Sequence, residues 1–157
     1  MTKTLAGLAE IIRQIDFATL STHSDGGTIA GRPMSNNRDV EYDGDSWYFA
    51  LEDTRTVQDL RGNSQCALSF HGKGGLLGMK PVFVHIEGEA ELIKDKPTFE
   101  AHWTRDLEMW FKQGVDTPGL TLIKVRGVRA HYWDGEDQGE FVLEGATAPD
   151  TRATATG

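Results

Sequence analysis

Two arginines and the start of a helix are the strongest candidates for chemistry in this chain of 157 residues. Arg32 lies inside a predicted strand, where a charged side chain needs exposure or a partner. Asp53, Thr54 and Arg55 stand where a short helix begins, and hydroxyls, a guanidinium and free backbone N–H groups at a helix N-terminus form an anion site. If the second and third strands pair, Arg32 and Arg55 approach one phosphate. An ordinary helix cap beside a surface arginine explains the same residues equally well.

A glycine-rich run at residues 72–78 follows a strand but lacks the spacing of a nucleotide-binding loop. Its glycines are spaced GxGxxxG rather than GxGxxG, and Met79-Lys80-Pro81 after them cannot continue as a helix. Without a helix N-terminus a pyrophosphate has no dipole to bind. The run is therefore interpreted as a mobile loop.

The five histidines and the single cysteine indicate neither a metal site nor a nucleophile. His85 and Glu87 share a strand face, but third and fourth ligands are missing nearby in the sequence. Cys66 lies in an apolar strand without a neighbouring base or cation, as a buried and inert thiol would. No metal is expected, and a lone cysteine forms no intramolecular disulfide.

The formal net charge is −8, with 16 basic and 24 acidic residues and no cluster of lysine and arginine. This balance argues against nucleic acid as the main ligand, because such a ligand needs a cationic face. The chain has no apolar run of about 18 residues and no signal-peptide core at its start. We therefore expect no membrane partner and a cytoplasmic location.

Hydrophobic spacing predicts three helices and six strands. The helices are expected at about 3–15, at 54–61 with Asp53 or Thr54 as its cap, and from Asp95 through the apolar stripe Phe99, Trp103, Leu107 and Trp110. Strands are expected at 17–22, 28–35, 46–51, 65–71, 82–93 and 120–133, with residues 40–42 pairing onto 46–51 through the turn Asp43-Gly44-Asp45.

This order does not alternate as βαβ units, which argues against a doubly wound parallel sheet. Short hairpins closed into a barrel, with helices packed outside, fit better. The domain is expected to span residues 1–145. Residues 146–157, rich in Ala, Thr and Pro, are expected to form a disordered and dispensable tail.

Taken in order, these segments resemble the pyridoxamine-phosphate-oxidase-related FMN-binding proteins, and within them the general stress protein 26 type. The resemblance covers about residues 5–135 and is specific to the family rather than to one activity. It rests on 17–22, Asp25-Gly26, Arg32-Pro33-Met34, Trp47-Tyr48-Phe49, Asp53-Thr54-Arg55, Gly62-Asn63, a long strand with Gly88, Trp110-Phe111 with Gly114, and Ala130-His131-Tyr132-Trp133.

The resemblance implies a mainly β, six-stranded antiparallel split β-barrel with flanking helices, which binds FMN between the subunits of a homodimer. By resemblance, Arg32, Pro33 and Met34 line the flavin. Trp47, Phe49 and Leu51 pass beside the ring or the ribityl chain. Thr54 and Arg55 bind the phosphate.

One position departs from the family pattern, because Thr56 stands where a phosphate-binding lysine is usual. Its loss removes a positive charge from the site, which weakens binding unless Arg55 or Arg32 compensates. Trp110 is interpreted as a core or dimer-interface residue. It and the strand near Trp133 are the candidates for the second chain's contribution to the site.

Three functions remain open at this stage. The first is a flavin-dependent oxidoreductase with a stress-related role, acting on a small molecule or on reduced nicotinamide. The second is a non-catalytic flavin-binding or flavin-buffering protein, and the third is a split barrel that lost FMN or uses haem or a deazaflavin. Pyridoxamine-phosphate oxidase activity itself is disfavoured, because that enzyme type has a basic motif near its C-terminus, whereas here the region from Asp134 to Glu144 is acidic. No catalytic residue is identified.

Overall fold

The computed structural model describes residues 3–38, 40–74 and 79–143, which form one antiparallel sheet and three α-helices. The helices are α1 (Leu5–Ile12), α2 (Arg55–Gly62) and α3 (Lys96–His102). The strands are β1 (Phe17–His23), β2 (Ile29–Ser35), β3 (Asp45–Leu51), β4 (Gln65–Gly74), β5 (Lys80–Ile93), β6 (Leu120–Asp134) and β7 (Asp137–Val142).

Six of the strands follow the order β2-β1-β4-β5-β6-β3 and curl into a half-barrel, which confirms the predicted split-barrel class. The long strand β6 pairs with β5 on one side. On its other side it pairs first with β3 and then, beyond Gly127, with β7. The register of β5 against β6 shifts between Glu87 and Gly88. Such a bulge increases the local twist and helps to curl the sheet.

The core lies on the inner face of the curled sheet, where alternate residues of β1, β4 and β5 are buried. On β5 the buried side chains are Val82, Val84 and Ile86, whereas Phe83 is 41% exposed on the opposite face. The first helix covers part of this core with Leu8 and Ile12. The predicted alternation of the long strand is therefore confirmed, and it separates an inner apolar face from an outer one.

The predicted hairpin between residues 40–42 and 46–51 is wrong. Val40, Glu41 and Tyr42 lie outside the strands, and β3 pairs with β6 instead. The ring of Tyr42 is 7% exposed within the core, and its hydroxyl donates a hydrogen bond to the carbonyl of Gly44 at 3.2 Å. Because Tyr42 packs into the core, residues 40–42 do not pair with β3. The strand β3 pairs with the longer apolar strand β6 instead.

The predicted third helix is too long, because α3 ends at His102. It begins as predicted, since the Asp95 carboxylate accepts a hydrogen bond from the N–H of Thr98 and Pro97 lies in the first turn. Trp103 has an extended backbone with ψ of 136° and packs edge-on against Phe49. The chain then makes a short 3-10 turn over 105–109.

The strand β7 was not predicted, since its charged and glycine residues hide the alternation of an edge strand. The glycine run begins inside β4, where Gly72 pairs with Val82 and Gly74 with Lys80. The mobile-loop prediction for 72–78 is therefore wrong for residues 72–74, which belong to β4. The rest of the run, 75–78, and the tail predicted at 146–157 lie outside the described residues. Within the described ranges no helix is long and apolar enough to cross a membrane.

Candidate functional site

The residues predicted to hold a cofactor fall into two groups. One group lines a cleft of about 520 Å³ and consists of Pro33, Met34, Trp47, Phe49 and Trp110. The second group surrounds the start of α2 and consists of Arg32, Thr54 and Arg55. Leu51 and Thr56 line neither the cleft nor the ion-pair network at α2.

The alternation of β3 builds one wall of the aromatic cleft. Trp47 and Phe49 face the cleft, whereas Tyr48 between them is buried, and burial raises its pKa to about 12. The ring of Trp47 stacks on His102 with centroids 3.6 Å apart and an angle of 18°. Phe49 meets Trp103 edge-on at 5.0 Å. Aromatic pairs of this geometry hold both cleft rings in fixed orientations.

The 3-10 turn after α3 forms the opposite wall. It contributes Asp106 and Leu107, and Trp110 and Phe111 follow directly after it. Trp110 is 74% exposed, so it is not the core residue that one sequence interpretation allowed. An exposed indole at the mouth of an aromatic cleft is suited to cover a flat ligand or to contact a second chain.

The second group is an ion-pair network around the carboxylate of Asp59, which projects from α2. Arg32 donates to Asp59 Oδ2 at 3.3 Å and to the hydroxyl of Thr22 at 2.7 Å. Thr22 in turn donates to Oδ2 at 2.8 Å, and Ser24 donates to Oδ1 at 3.0 Å. Arg55 donates to the Ser24 hydroxyl at 2.6 Å and lies 4.0 Å from Asp59. Two guanidiniums therefore share one carboxylate.

Burial of Asp59 by itself would raise the pKa of its carboxyl. The hydrogen bonds from Thr22, Ser24 and Arg32, together with the charge of Arg32, outweigh burial and lower that pKa below its ordinary value. The carboxylate is therefore charged at neutral pH. The network of Arg32, Arg55 and Asp59 retains one positive charge.

The prediction that Arg32 and Arg55 meet through pairing of the second and third strands is wrong. Among the described strands, β2 pairs only with β1, and β3 pairs only with β6. Arg32 and Arg55 nevertheless lie around one anionic group, which is the chain's own Asp59. The two arginines therefore lie close together through β1 and α2, and their binding of a phosphate stays a prediction.

The cap of α2 is Thr54, one of the two predicted alternatives. Its hydroxyl accepts a hydrogen bond from the N–H of Val57 at 3.4 Å and donates to the carbonyl of Leu51 at 2.7 Å. Leu51 therefore contributes its backbone carbonyl, which orients the hydroxyl of the cap residue Thr54. Thr56 is half-buried in the first turn of the helix.

Sequence reasoning missed Asp59 and His102. Asp59 lies four positions after Arg55 and between the buried residues Val57 and Leu60, so a carboxylate on the buried helix face was the available signal. His102 carried no signal, because its role depends on the stack with Trp47. Burial and the nearby charge of Lys124 lower the pKa of His102.

Among the described residues no group of three or more His, Cys, Asp or Glu side chains could hold a metal ion. Burial raises the pKa of the Cys66 thiol to about 12, and the charge of Glu89 acts in the same direction. Cys66 is therefore a thiol at neutral pH, which agrees with the inert role expected from sequence.

Comparisons with known proteins cover most of the chain. The family described as pyridoxamine 5'-phosphate oxidase like matches residues 3–154. A search of curated proteins gave no match.

Three solved structures share the fold. A Clostridium acetobutylicum protein related to general stress protein 26 has a TM-score of 0.74 at 20% identity, covering 90% of this chain and 96% of that one. General stress protein 26 of Bacillus anthracis has a TM-score of 0.67 at 18% identity, covering 85% and 94%. A heme binding protein from Mycobacterium smegmatis has a TM-score of 0.72 at 14% identity, covering 94% and 62%.

At these identities the structural likeness shows the fold, and the family match carries the assignment. The matched segment includes the whole sheet, the aromatic cleft and the Asp59 network. The protein belongs to the pyridoxamine 5'-phosphate oxidase like family.

Proposed function

We propose that this protein is a homodimeric FMN-binding protein, and that it works as a flavin-dependent oxidoreductase with a stress-related role. The aromatic cleft is the observation that carries the proposal. Its volume of about 520 Å³ and its lining by Trp47, Phe49, Trp110, Pro33 and Met34 suit a planar three-ring group. Ligand sites of this kind are concave, mostly apolar and rich in aromatic side chains.

The Asp59 network fits the other end of FMN, which is a phosphate. Two arginines against one carboxylate leave a net positive charge, and the side chain of Arg55 is 65% exposed. A phosphate needs such a donor, since bidentate contact from a guanidinium is the strongest common phosphate contact. Arg55 can therefore exchange the Ser24 hydroxyl for a phosphate oxygen.

None of the residues of the Asp59 network lines the aromatic cleft, but the two regions adjoin on β2, where Arg32 of the network directly precedes Pro33 of the cleft. In the proposed homodimer, Trp110 and the end of β6 near Trp133 would complete the partner's site.

When bound, FMN supplies hydride or single-electron transfer, and the protein sets orientation and local charge. In this cleft Trp47 and Phe49 would orient the ring, while Trp110 would exclude water from one side. His102 and Asp106 are the imidazole and the carboxylate among the described side chains that line the cleft.

Haem is the second candidate ligand, because one neighbour of the same fold is described as a heme binding protein. The imidazole of His102 in the cleft offers a nitrogen of the kind that ligates haem iron. A visible absorption spectrum of the purified protein separates flavin, haem and ligand-free protein at once.

The decisive experiment is a titration of the protein, freed of any bound ligand, with FMN and with riboflavin, which lacks the phosphate. We expect micromolar or tighter FMN binding and weaker riboflavin binding. Arg55→Ala and Arg32→Ala should each weaken FMN binding by roughly 1.5–3 kcal/mol, the worth of a hydrogen bond to a charged group, and leave riboflavin binding nearly unchanged. Arg61→Ala is the matched control, because Arg61 lies on the same helix outside the network. Unchanged FMN affinity in both arginine variants would remove this placement of the phosphate.

A further inference from the structure

A second cavity of about 400 Å³ adjoins the aromatic cleft. This second cavity lies between the end of α1, the segment 36–43, the start of β3 and the end of α3. The stacked pair Trp47 and His102 lines both spaces, so the cleft and the second cavity meet at these two rings. Asp43 lines only the second cavity and Trp110 lines only the cleft, which allows each space to be tested separately.

The lining of the second cavity carries an excess of negative charge. Its carboxylates are Glu41, Asp43 and Asp45, and its only cation among the described residues is Arg13 at the end of α1. Asp45 lies 3.9 Å from Lys124 Nζ, whereas Glu41 and Asp43 form no ion pair within the part of the chain that the structure describes. Three carboxylates against two cations leave one negative charge. Glu41 and Asp43 are exposed, so a ligand can reach them from solvent.

The turn before β3 fixes one of these carboxylates in place. Asp43 Oδ1 accepts a hydrogen bond from the N–H of Asp45 at 3.0 Å. The charge of Asp43 reaches residues on two different elements of the lining. Burial raises the pKa of Tyr42, and the charges of Asp45 and Asp43 act in the same direction. At His102 the charge of Asp43 opposes the lowering of the pKa by burial and by Lys124.

The chain already places one ammonium group at the border of this cavity. Lys124 Nζ lies 5.2 Å from the ring centroid of Trp47 and 3.9 Å from the carboxylate of Asp45, and both of these residues belong to the lining. A cation over the face of a tryptophan is attracted by the charge distribution of the ring. Trp103 adds a second indole to the lining. The residues of the cavity are therefore of the types that hold an ammonium group.

We propose that the second cavity binds a small organic cation, in which an ammonium or quaternary ammonium group is joined to a short apolar body. Recognition of such cations by aromatic rings is a common use of cation–π attraction. Since Lys124 occupies Asp45, the carboxylates left for the ligand are Glu41 and Asp43. The site goes beyond the proposed function, because neither FMN nor a second copy of the chain takes part in it.

The composition of the cavity favours an organic cation over other small ligands. An anion would meet three carboxylates in the lining. A metal ion needs several ligands that converge on one point, and the described residues contain no group of three or more His, Cys, Asp or Glu side chains that could hold one. A concave site of mixed aromatic and charged lining suits a molecule with one charged end and one apolar end.

Calorimetric titration of the full chain with choline and with 3,3-dimethylbutan-1-ol tests the proposal. These two probes have the same shape, but only choline carries a quaternary ammonium group. At pH 7.5 and fixed ionic strength we expect choline to bind with a Kd of about 10 mM or tighter, and the neutral alcohol to bind at least about tenfold more weakly. Equal affinity for the two probes, or a weaker Kd for choline, would overturn the proposal.

Two matched substitutions locate the bound cation. Asp43→Asn removes the charge but keeps an oxygen that can accept the hydrogen bond from Asp45, so the turn should be retained. We expect it to weaken choline binding at least about fivefold, because unit charges at contact distance attract each other even in water. Asp25→Asn makes the same change at an exposed position outside the lining and should leave choline affinity unchanged. Equal choline affinity in the two variants would mean that the cation binds elsewhere.

A third variant separates the second cavity from the cleft. Trp110→Ala changes the cleft alone, so choline affinity should stay at the wild-type value. If Trp110→Ala weakens choline binding as much as Asp43→Asn does, the cation lies in the cleft and the second site is overturned. In turn Asp43→Asn should leave FMN affinity unchanged, since Asp43 does not line the cleft. Failure of FMN to bind would overturn the proposed function and leave the choline result standing.

Discussion

Nη2 of Arg32 lies 3.3 Å from Oδ2 of Asp59, and this pair joins the edge strand β2 to the helix α2. Within the part of the chain that the structure describes, β2 has only β1 as a strand neighbour, so it depends on such contacts to hold its place. The side chains of Thr22 and Ser24, from β1 and the turn after it, complete the connection. One buried carboxylate thus fixes the edge of the half-barrel and places two arginines at the proposed phosphate site.

Removal of the carboxylate should therefore destabilise the fold. Asp59→Ala is expected to lower the free energy of unfolding by about 3 kcal/mol, because a half-buried guanidinium loses its partner. Asp53→Ala at the exposed start of the same helix is the control and should change it by less than about 0.5 kcal/mol. Urea unfolding followed by circular dichroism measures both. Equal losses in the two variants would show that the network contributes nothing specific.

The carboxylate of Asp59 should also make the free energy of unfolding depend on pH. Because hydrogen bonds hold the pKa of Asp59 below its ordinary value, its contribution to stability is complete above about pH 4 and is lost as the pH falls through the folded-state pKa. In Asp59→Asn this part of the acid destabilisation should disappear. Unfolding free energies between pH 5 and pH 2.5 provide the test, and parallel pH curves for the two proteins would refute it.

A lysine restored at position 56 should strengthen the proposed phosphate site. Thr56 lies in the first turn of α2, next to Arg55, so Thr56→Lys adds a positive charge close to the network. We expect tighter FMN binding and unchanged riboflavin binding, as measured by fluorescence titration. Gln14→Lys adds the same charge at an exposed position after α1, outside the network, and is the control. Weaker FMN binding in Thr56→Lys would show that the phosphate lies elsewhere.

The sequence predicted local structure well wherever the controlling contacts are close along the chain. Thr54 and Asp95 cap their helices as expected, and the alternation of Val82, Val84 and Ile86 identified the buried face of β5. Prediction from sequence failed where the interacting partner lies far away along the chain. The turn chemistry of Asp43-Gly44-Asp45 favoured a hairpin, but the partner of β3 is β6, far later in the chain.

The candidate site shows the same limit. The aromatic residues of the cleft came from the resemblance to a family, since no local spacing marks them. The contact of Arg32 with Asp59 depends on the order of the strands and on the packing of α2 against β1, which sequence reasoning had not determined. The stack of Trp47 on His102 depends on the early end of α3. Both contacts are properties of the assembled fold.

Trp110 offers a way to separate binding from stability. Its side chain is 74% exposed at the mouth of the cleft, so Trp110→Ala should change the free energy of unfolding by less than about 0.5 kcal/mol. It should weaken flavin binding by about 1 kcal/mol, the worth of an aromatic contact. Met109→Ala is the control, because Met109 is equally exposed but does not line the cleft. Thermal melts measure the stability of both variants, and flavin titration measures their affinity. Equal flavin affinity in the two variants would show that the flavin ring does not contact Trp110.

His102 should make stability depend on pH near neutrality. Burial, then the charge of Lys124, lowers the pKa of His102 below 6.5, so the folded state prefers the neutral ring. Its contribution is complete above about pH 6.5 and is lost as the pH falls through the lowered pKa. The loss of stability between pH 7 and pH 5 should be smaller in His102→Gln than in the wild type. If the two proteins lose stability equally over that range, burial and the charge of Lys124 do not disfavour the charged ring of His102.

Gly127 tests how Tyr42 is held in the core, where the predicted hairpin failed. A Cβ on Gly127 would lie 2.5 Å from Leu143 Cδ1, 2.7 Å from the Tyr42 hydroxyl and 2.9 Å from the carbonyl of Gly44. The backbone cannot shift away easily, because the N–H of Gly127 donates to that same carbonyl at 2.7 Å. Gly127→Ala should therefore lower the free energy of unfolding by about 3 kcal/mol, the upper end for overpacking.

The matched control for that change is Gly62→Ala, at the end of α2. Its added Cβ would meet no heavy atom within 4 Å, and alanine in a helix restricts the unfolded chain, so stability should rise by about 0.5 kcal/mol. Urea unfolding of both variants gives the comparison. A Gly127→Ala protein as stable as the wild type would mean that Tyr42 can leave the core at little cost. In that case the packing of Tyr42 against Gly127 would not be what keeps residues 40–42 from pairing with β3.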